Sequence, residues 1–151
     1  MHKVFVYSIG KKDDKCYEVI ANELITNTKK FARVEVKNIF NKKINQAQKE
    51  NEAKGAYEEA LVPYLLKDGL NIALHPKGEL LDSFRFAKLL NSPKTAFFIG
   101  GAFGFNDSFL NRCDKIISLS PLTMSHKIAK LVLLEQIFRG FSIINNHPYH
   151  K

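Results

Sequence analysis

The amino-acid sequence predicts an α/β fold in which a mostly parallel sheet has helices on both of its faces. Segments rich in β-branched and aromatic residues alternate along the chain with segments in which apolar residues recur at helical spacing. One apolar segment, Thr95–Ile99, is predicted to be a strand buried on both faces. The length of 151 residues suits one compact domain, so we predict a single domain over residues 1–151.

The first half of the chain begins with two strand segments separated by a helix. Asp13 and Asp14 favour the start of that helix because acidic side chains stabilise its positive end. Pro63 predicts a kink or a boundary in the second helical segment. The predicted elements are a strand at Lys3–Ile9, a helix from about Asp14 to Thr28, a strand at Phe31–Ile39, a loop or helix lead-in at Asn41–Glu52 and a helix at Ala53–Lys67.

The second half of the chain repeats the alternation and ends in a long helix. Asp82 or Ser83 is predicted to cap the first helix of this half, because short polar side chains accept the free N–H groups of a first turn. The predicted elements are a strand at Leu70–Leu74, a helix at Asp82–Leu90, a strand at Thr95–Ile99, a short helix at Asp107–Cys113, a strand at Lys115–Leu119 and a helix from about Ser125 to Phe141.

The charge of the chain points to an acidic partner. The formal net charge is +8, and residues 69–151 carry 10 Lys and Arg against 5 Asp and Glu. Nucleic acid is the commonest acidic partner for such a protein, and an inert basic surface is the alternative. No apolar run is long enough to cross a membrane, and Met1–Ile9 contains no secretory signal, so we expect a cytoplasmic protein.

Three loops are candidates for a ligand site because ligands bind where loops leave the carboxyl ends of parallel strands. They are Leu74–Gly78, Gly100–Gly104 and Leu119–Ser125. The glycines of the second loop permit close approach of the backbone, but a plain tight turn explains them equally well. The third loop alternates apolar and polar residues and would suit a purine ring, unless Ser125 is simply a helix cap and Leu122 fills the core.

The end of the chain is rich in groups that bind RNA. Tyr149 and the histidines beside it can stack on an unpaired base, and Lys151 can contact a phosphate. Arg139 either forms a surface pair with Glu135, four residues earlier, or grips a phosphate or a base edge. No metal site is expected, because Pro148 disfavours a helical histidine pair and no cysteine lies nearby.

Four segments together resemble the RlmH family of SPOUT methyltransferases, which modify a pseudouridine of 23S ribosomal RNA. The resemblance covers the whole length of the chain. Its specific parts are the closing N-H-P-Y-H element and the distance of that element from the I-G-G-x-x-G loop. The segments are Phe98–Gly104, Leu119–Met124, Leu134–Gly140 and His147–Lys151.

The resemblance implies a fold, a cofactor and an oligomeric state. The C-terminal segment of the family threads through a loop and forms a trefoil knot, a rare exception to the usual absence of knots. The family forms homodimers, with S-adenosylmethionine bent between the knot loops and the RNA site built across both subunits. By position, the cofactor contacts would fall on Leu74, Gly100, Leu119, Ser120, Pro121, Leu122, Thr123 and Met124.

The resemblance also implies the reaction. The family transfers the sulfonium methyl group to N3 of a pseudouridine, at position 1915 in helix 69 of 23S ribosomal RNA in the usual numbering. We assign His150 and Tyr149 to holding or deprotonating the uracil edge, and Arg139 to stabilising its anion. Contacts to RNA are predicted for His126, Lys130, Arg139, His147 and Lys151.

Some positions depart from the family pattern and leave two other functions open. His75 stands where an acidic residue is usual, Ser125 where proline is common, Lys130 where arginine is common, and Phe103 where a polar residue is common. One alternative is a non-catalytic factor that binds RNA or the ribosome and keeps a degenerate cofactor pocket. The other is a SPOUT methyltransferase that acts on another RNA.

Overall fold

The computed structural model describes residues 1–151, and its strands and helices alternate as predicted. A single 3-10 turn, Val62–Tyr64, follows the third helix. None of the helices combines the length and the apolar character needed to cross a membrane. In chain order the elements are β1 His2–Ile9, α1 Lys15–Thr28, β2 Ala32–Ile39, α2 Lys42–Gln46, α3 Glu50–Leu61, β3 Leu70–Leu80, α4 Ser83–Leu89, β4 Lys94–Ile99, α5 Asp107–Arg112, β5 Lys115–Ser118 and α6 His126–Ile144.

The five strands form one sheet in the order β2-β1-β4-β3-β5, and every neighbouring pair is parallel. Val4 of β1 pairs with Val34 of β2 on one side and with Thr95 of β4 on the other. Since all strands run in one direction, the loops that follow them leave from the same side of the sheet. We call this side the carboxyl edge, and the opposite side the amino edge.

Both faces of the sheet are covered by helices, which confirms the predicted α/β architecture. Phe97 points to the core formed with α1, α4 and α6, whereas Phe98 points to the core formed with α2, α3 and α5. Both side chains are fully buried. Each contributes about 1.5–3 kcal/mol through removal of apolar surface from water. Because successive side chains of β4 point to opposite faces of the sheet, this central strand packs against both helical layers.

The polar stretch after β2 contains helix α2 where a loop or helix lead-in was predicted, and the helix predicted at Ala53–Lys67 is confirmed as α3, which begins three residues earlier, at Glu50. Asn41 caps α2, because its side chain accepts a hydrogen bond of 2.8 Å from Ile44 N. Within Asn41–Glu52 only Ile44 is buried, so too few apolar positions were present to predict α2. The boundary predicted at Pro63 is confirmed, since α3 ends at Leu61 and the 3-10 turn follows.

Strand β3 runs six residues beyond the predicted end at Leu74. Leu74 and Glu79 both pair with Ile117 of β5, so the intervening residues form a bulge at the predicted loop. A Cβ atom on Gly78 would lie 2.5 Å from the carbonyl carbon of Ile117. The bulge therefore depends on glycine at this position, because backbone atoms cannot yield as a flexible side chain can.

We predict that Gly78→Ala lowers the free energy of unfolding by about 2 kcal/mol or more, because overpacking against backbone forces the strands apart. The matched control is Gly55→Ala in α3, where no atom lies within 4 Å of the added carbon. That substitution is expected to stabilise the protein by about 0.5–1 kcal/mol. Urea unfolding of both variants measures the difference, and equal stabilities would contradict the clash.

The caps of the last helices confirm the sequence-based expectation, although α6 is longer than predicted. The carboxylate of Asp82 accepts from Arg85 N at 2.8 Å and begins α4. Ser125 begins α6 by accepting from Ile128 N at 3.3 Å. The helix continues past Phe141 to Ile144, and Asn146 then adopts a left-handed conformation with φ of 54°. That turn reverses the chain and directs the tail back along α6.

Candidate active site

The three loops selected from the sequence lie next to one another at the carboxyl edge. Leu74 of β3 pairs with Ile99 of β4 and with Ile117 of β5, so the ends of these strands are adjacent. Gly100 follows Ile99 directly, and Leu119 follows the last residue of β5. The sheet thus brings together the segments to which the cofactor contacts were assigned.

The Gly100–Gly104 loop is a turn that presents bare backbone. Gly104 N donates to the carbonyl oxygen of Gly101 at 3.0 Å, and Gly104 has a φ of +74°, a conformation that favours glycine. A Cβ on Gly101 would lie 2.5 Å from the hydroxyl of Tyr57, and one on Gly100 would lie 3.2 Å from Gly104 backbone carbon. Burial raises the pKa of Tyr57, and a backbone hydrogen bond at Phe103 partly offsets the effect. The turn has no room for side chains at these positions.

The Leu119–Ser125 loop is held by serine side chains at both ends. Ser118 Oγ donates to the carbonyl of Ser120 at 3.0 Å, and Ser120 Oγ accepts from Leu122 N at 3.0 Å. The alternative role of Ser125 as a helix cap is confirmed, so any ligand contact would be additional. Leu122 does not fill the core, because it is 77% exposed. An apolar side chain so exposed on an ordered loop is available to a ligand or a partner.

A cleft of about 360 Å³ lies between the start of this loop, α4 and α6. Its volume is at the lower end of the range for small-molecule sites. Ser83 and Gln136 close one side, with a hydrogen bond of 2.7 Å between their side chains. Among the predicted cofactor residues, only Leu119 lines the cleft. The lining residues are Leu81, Asp82, Ser83, Phe86, Ile117, Ser118, Leu119, Val132 and Gln136.

The three predicted catalytic residues lie together: Arg139 and Tyr149 bind one carboxylate, and His150 contacts Arg139. Arg139 Nε and Nη2 donate to Glu135 Oε1 at 3.0 and 2.6 Å, and the hydroxyl of Tyr149 donates to the same oxygen at 2.8 Å. Arg139 Nη1 lies 3.1 Å from His150 Nδ1, and the guanidinium lies 4.7 Å from the centre of the Tyr149 ring. We call Glu135, Arg139, Tyr149 and His150 the tail cluster. Glu135 was not assigned a functional role from the sequence, where its four-residue spacing from Arg139 indicated only a surface pair.

The contacts of the tail cluster define the protonation of its members. A guanidinium can only donate, so His150 Nδ1 accepts from Arg139 and carries a lone pair. Burial alone would raise the pKa of Glu135, but hydrogen bonds from Arg139, Tyr149 and Gln136 outweigh burial and lower the pKa. Burial and the hydrogen bond to Glu135 raise the pKa of Tyr149. Tyr149 therefore remains a neutral donor near pH 7, which favours His150 over Tyr149 as a proton acceptor.

The tail is packed against the outer surface of α6. His147 N donates to the carbonyl of Ser142 at 2.8 Å, and His147 Nε2 lies 2.9 Å from Lys30 Nζ. The Tyr149 ring packs on Phe138, and the His150 ring meets the edge of Phe84. Lys151 is exposed at the end of the chain. Of the residues predicted to bind RNA or stack on it in this segment, Tyr149 and Lys151 are thus exposed, whereas His147 and His150 are half-buried.

Lys130 differs from its predicted role as an RNA contact. Its side chain is 2% exposed, and its Nζ lies 2.5 Å from Asp13 Oδ2 and 2.6 Å from Asn38 Oδ1. The structure therefore contradicts a direct contact with a phosphate. His126, one turn earlier, is half-buried and packs close to Gly10. Burial and the charges of Lys130 and Lys127 lower the pKa of His126, which favours its neutral form.

The tail cluster lies far from the loop that begins α6. Arg139 follows His126 by thirteen residues on one continuous helix, which corresponds to about 20 Å along the axis at ~1.5 Å per residue. The tail folds back only to the level of Glu135, where Tyr149 is bound. Within one chain, the tail cluster and the Thr123–Ser125 end of the loop therefore occupy opposite parts of the helix.

Comparisons with known proteins identify the family. A family model described as "Predicted SPOUT methyltransferase" matches residues 2–150. A protein of a Nitratiruptor species named Ribosomal RNA large subunit methyltransferase H is 63% identical over 100% of both chains. A protein of the same name from Aliarcobacter butzleri is 49% identical over 99% of both.

Among solved structures, a methyltransferase of Legionella pneumophila in complex with the bound cofactor SAM is similar, with a TM-score of 0.52 and 13% sequence identity. The match covers 90% of this chain and 65% of that chain, and at this identity it concerns the fold alone. The assignment of the chain to a family therefore rests on the family model and on the sequence identity to the named relatives. The chain belongs to the RlmH family of SPOUT methyltransferases.

Proposed function

We propose that this protein transfers a methyl group from S-adenosylmethionine to N3 of a pseudouridine in helix 69 of 23S ribosomal RNA. The observation that carries the proposal is a connected cluster in which Arg139 and Tyr149 both bind the carboxylate of Glu135 and His150 contacts Arg139. The relatives named as large-subunit ribosomal RNA methyltransferases support the class of substrate. One domain, residues 1–151, carries the activity, and a ribosomal substrate places the reaction in the cytoplasm.

The carboxyl edge fits the cofactor. S-adenosylmethionine supplies an electrophilic methyl group when bound, and its adenosine part needs close approach to backbone and apolar cover. The turn offers such an approach at Gly104, where no atom lies within 4 Å of an added Cβ, whereas Gly100 and Gly101 are needed for the turn's own packing against Gly104 and Tyr57. Leu74 and the Leu119–Met124 segment supply apolar side chains and backbone groups beside it. These are the residues to which we assign the binding of the cofactor.

The tail cluster fits the acceptor. N3 of a pseudouridine is an imide nitrogen, so its proton must leave as the new bond to the methyl carbon forms. His150 is the proton acceptor in our assignment. The lone pair of Nδ1 becomes free to take the proton once Arg139 turns to the substrate. Arg139 stabilises the negative charge on the uracil ring, and Tyr149 donates to one of its carbonyl oxygens when its single hydroxyl proton turns from Glu135 to the substrate. Orientation of the two reactants supplies a further ~7–11 kcal/mol of barrier reduction.

The separation of about 20 Å along α6 between His126 and Arg139 supports a homodimer in which the tail cluster of one subunit faces the Thr123–Ser125 end of the loop in the other. Exposed apolar side chains around both halves of the site are available for such an interface. They are Leu80, Phe84, Leu122, Ile128 and Tyr149. We further propose that the C-terminal segment is threaded as the trefoil knot of SPOUT proteins.

The proposal is tested by transfer of a labelled methyl group to whole ribosomes, free large subunits, naked ribosomal RNA and transfer RNA, followed by mapping of the modified base. Label at N3 of one pseudouridine of 23S ribosomal RNA is expected. Label on transfer RNA alone would favour the enzyme that acts on another RNA. A failure to bind S-adenosylmethionine at millimolar concentration, measured by calorimetry, would favour the non-catalytic binding factor.

A further inference from the structure

The loops that follow β1 and β2 carry a basic and aromatic surface outside the site described above. We propose that this surface, formed by Lys11, Lys12, Phe40 and Lys42 and called the basic edge here, binds the RNA strand beside the target nucleotide. The inference rests on the proposed function and adds to it the surface that holds the substrate. It identifies the ligand by its chemistry, as a single-stranded stretch of RNA with a phosphate backbone and an unpaired base.

The basic edge lies next to the cofactor loops. Gly10 N donates to the carbonyl of Ile39 at 3.0 Å, so the chain leaves β1 and β2 side by side. Strand β1 is the direct neighbour of β4, whose end continues into the Gly100–Gly104 turn. At about 4.8 Å between neighbouring strands, the end of β2 lies roughly 10 Å from the end of β4. An RNA strand that presents a base at the carboxyl edge therefore passes the basic edge within one or two nucleotides.

The chemistry of the basic edge fits single-stranded RNA. Lys11 Nζ lies 5.4 Å from the centre of the Phe40 ring, and Phe40 remains 38% exposed. Lys11 and Lys42 have no ion pair with a carboxylate, and Lys12 has only the exposed Glu18 at 3.8 Å. Free lysines neutralise phosphates, and an exposed aromatic ring stacks on a base of any type. By contrast, Lys43 of the neighbouring helix α2 is paired with Glu59.

The loop that carries Lys11 and Lys12 is anchored at both of its ends. Gly10 has a φ of +150° and lies so close to His126 that a Cβ would meet its ring at 3.1 Å. Asp13, on the other side of the two lysines, forms the buried pair with Lys130 of α6. Lys130 therefore acts as a positioning residue for the surface, although it cannot touch RNA itself. Anchoring reduces the entropy lost when the lysines bind phosphates.

The test compares two double variants that remove the same charge. Lys11→Gln/Lys42→Gln changes the basic edge, and Lys3→Gln/Lys67→Gln changes lysines at the amino edge, which also lack ion pairs. Each lowers the formal net charge from +8 by two. Methyl transfer to ribosomes that lack the modification is measured as a function of salt, together with cofactor affinity and thermal stability.

The basic-edge variant is expected to raise the KM for ribosomes about tenfold at physiological salt, with kcat and the affinity for S-adenosylmethionine unchanged. The slope of log KM against log salt should fall by about 1.4, at ~0.7 per phosphate contact of a single strand. The control is expected to keep KM within about twofold.

Equal KM values and salt slopes for the two variants would overturn the inference while leaving the proposed function intact. An effect on KM without any change in the salt slope would also overturn it, because that outcome would indicate a protein contact or a structural change. A wild-type enzyme that binds S-adenosylmethionine but methylates no ribosomal RNA would instead contradict the proposed function, and with it this inference.

Discussion

Replacement of His150 by alanine is expected to lower kcat for methyl transfer by a factor of about 10²–10⁴, the usual contribution of a positioned proton acceptor. In the structure, His150 Nδ1 accepts a hydrogen bond from Arg139, and Tyr149 is held as a neutral donor to Glu135. Removal of the imidazole leaves only the carboxylate of Glu135 as a proton acceptor in the tail cluster, and it is a weak one, because hydrogen bonds from Arg139, Tyr149 and Gln136 lower its pKa. Stability should change little, because the His150 ring makes a single aromatic contact, to exposed Phe84.

A matched control for this variant is His2→Ala, which removes an imidazole that binds the carbonyl of Ser92 at the amino edge. Its kcat should stay within about twofold of the wild type. Near-normal turnover by His150→Ala would remove the assignment of the base.

His150→Ala also tests the subunit arrangement when it is mixed with an equal amount of a Gly100→Leu chain. If each site combines the tail cluster of one subunit with the carboxyl edge of the other, half of the dimers are mixed and each mixed dimer has one intact site. Mixing should then restore about one quarter of the wild-type sites in a twofold dimer. No recovery on mixing would contradict a shared site.

Replacement of Lys130 by methionine is expected to lower the free energy of unfolding by about 3–5 kcal/mol, because it leaves a buried carboxylate without its cation. The Asp13 side chain is 9% exposed, and its Oδ1 already lacks a hydrogen-bond partner. The second substitution Asp13→Leu should recover most of the loss, since a pair of apolar side chains needs no counter-charge. Urea unfolding of the single and double variants measures both effects.

The exposed pair of Lys127 with Asp14 provides the control, because Lys127 lies on the same helix as Lys130. Lys127 lies 3.5 Å from Asp14, with side chains that are 30% and 75% exposed. Lys127→Met is therefore expected to cost less than about 1 kcal/mol, as solvent screens an exposed pair. If Lys127→Met and Lys130→Met destabilise the protein equally, burial does not explain the importance of Lys130.

The sequence predicted the layers of the fold well because periodicity and burial agree in most elements. Thr95–Ile99 is apolar, and it became the central strand with a core on each side. Where only one or two side chains reach the core, as for Ile44 in α2, the pattern is too sparse to predict a helix. The continuation of β3 beyond Leu74 was not predictable, since it depends on a bulge that pairs two residues with Ile117.

The candidate site was predicted in its location but not in its internal contacts. The composition of the chain end and the family resemblance indicated Arg139, Tyr149 and His150, but the contacts of Tyr149 with Glu135 and of His150 with Arg139 depend on the reversal of the chain at Asn146. The charge of Lys130 suggested an RNA contact because its sequence neighbours gave no sign of Asp13, which lies 117 residues away along the chain. Contacts between residues so far apart in the sequence depend on the topology of the fold, which cannot be read from local sequence patterns.

The continuity of α6 has a consequence for how this protein can vary. The helix begins at the end of one half of the site and carries Arg139 of the other half, with no kink or loop between them. Insertion of a single residue between Ser125 and Arg139 would turn the tail cluster by about 100° and move it by about 1.5 Å. The helix thus fixes both the spacing and the rotational phase of the two halves. In the proposed arrangement, a change of chain length within α6 would separate the methyl donor from its acceptor.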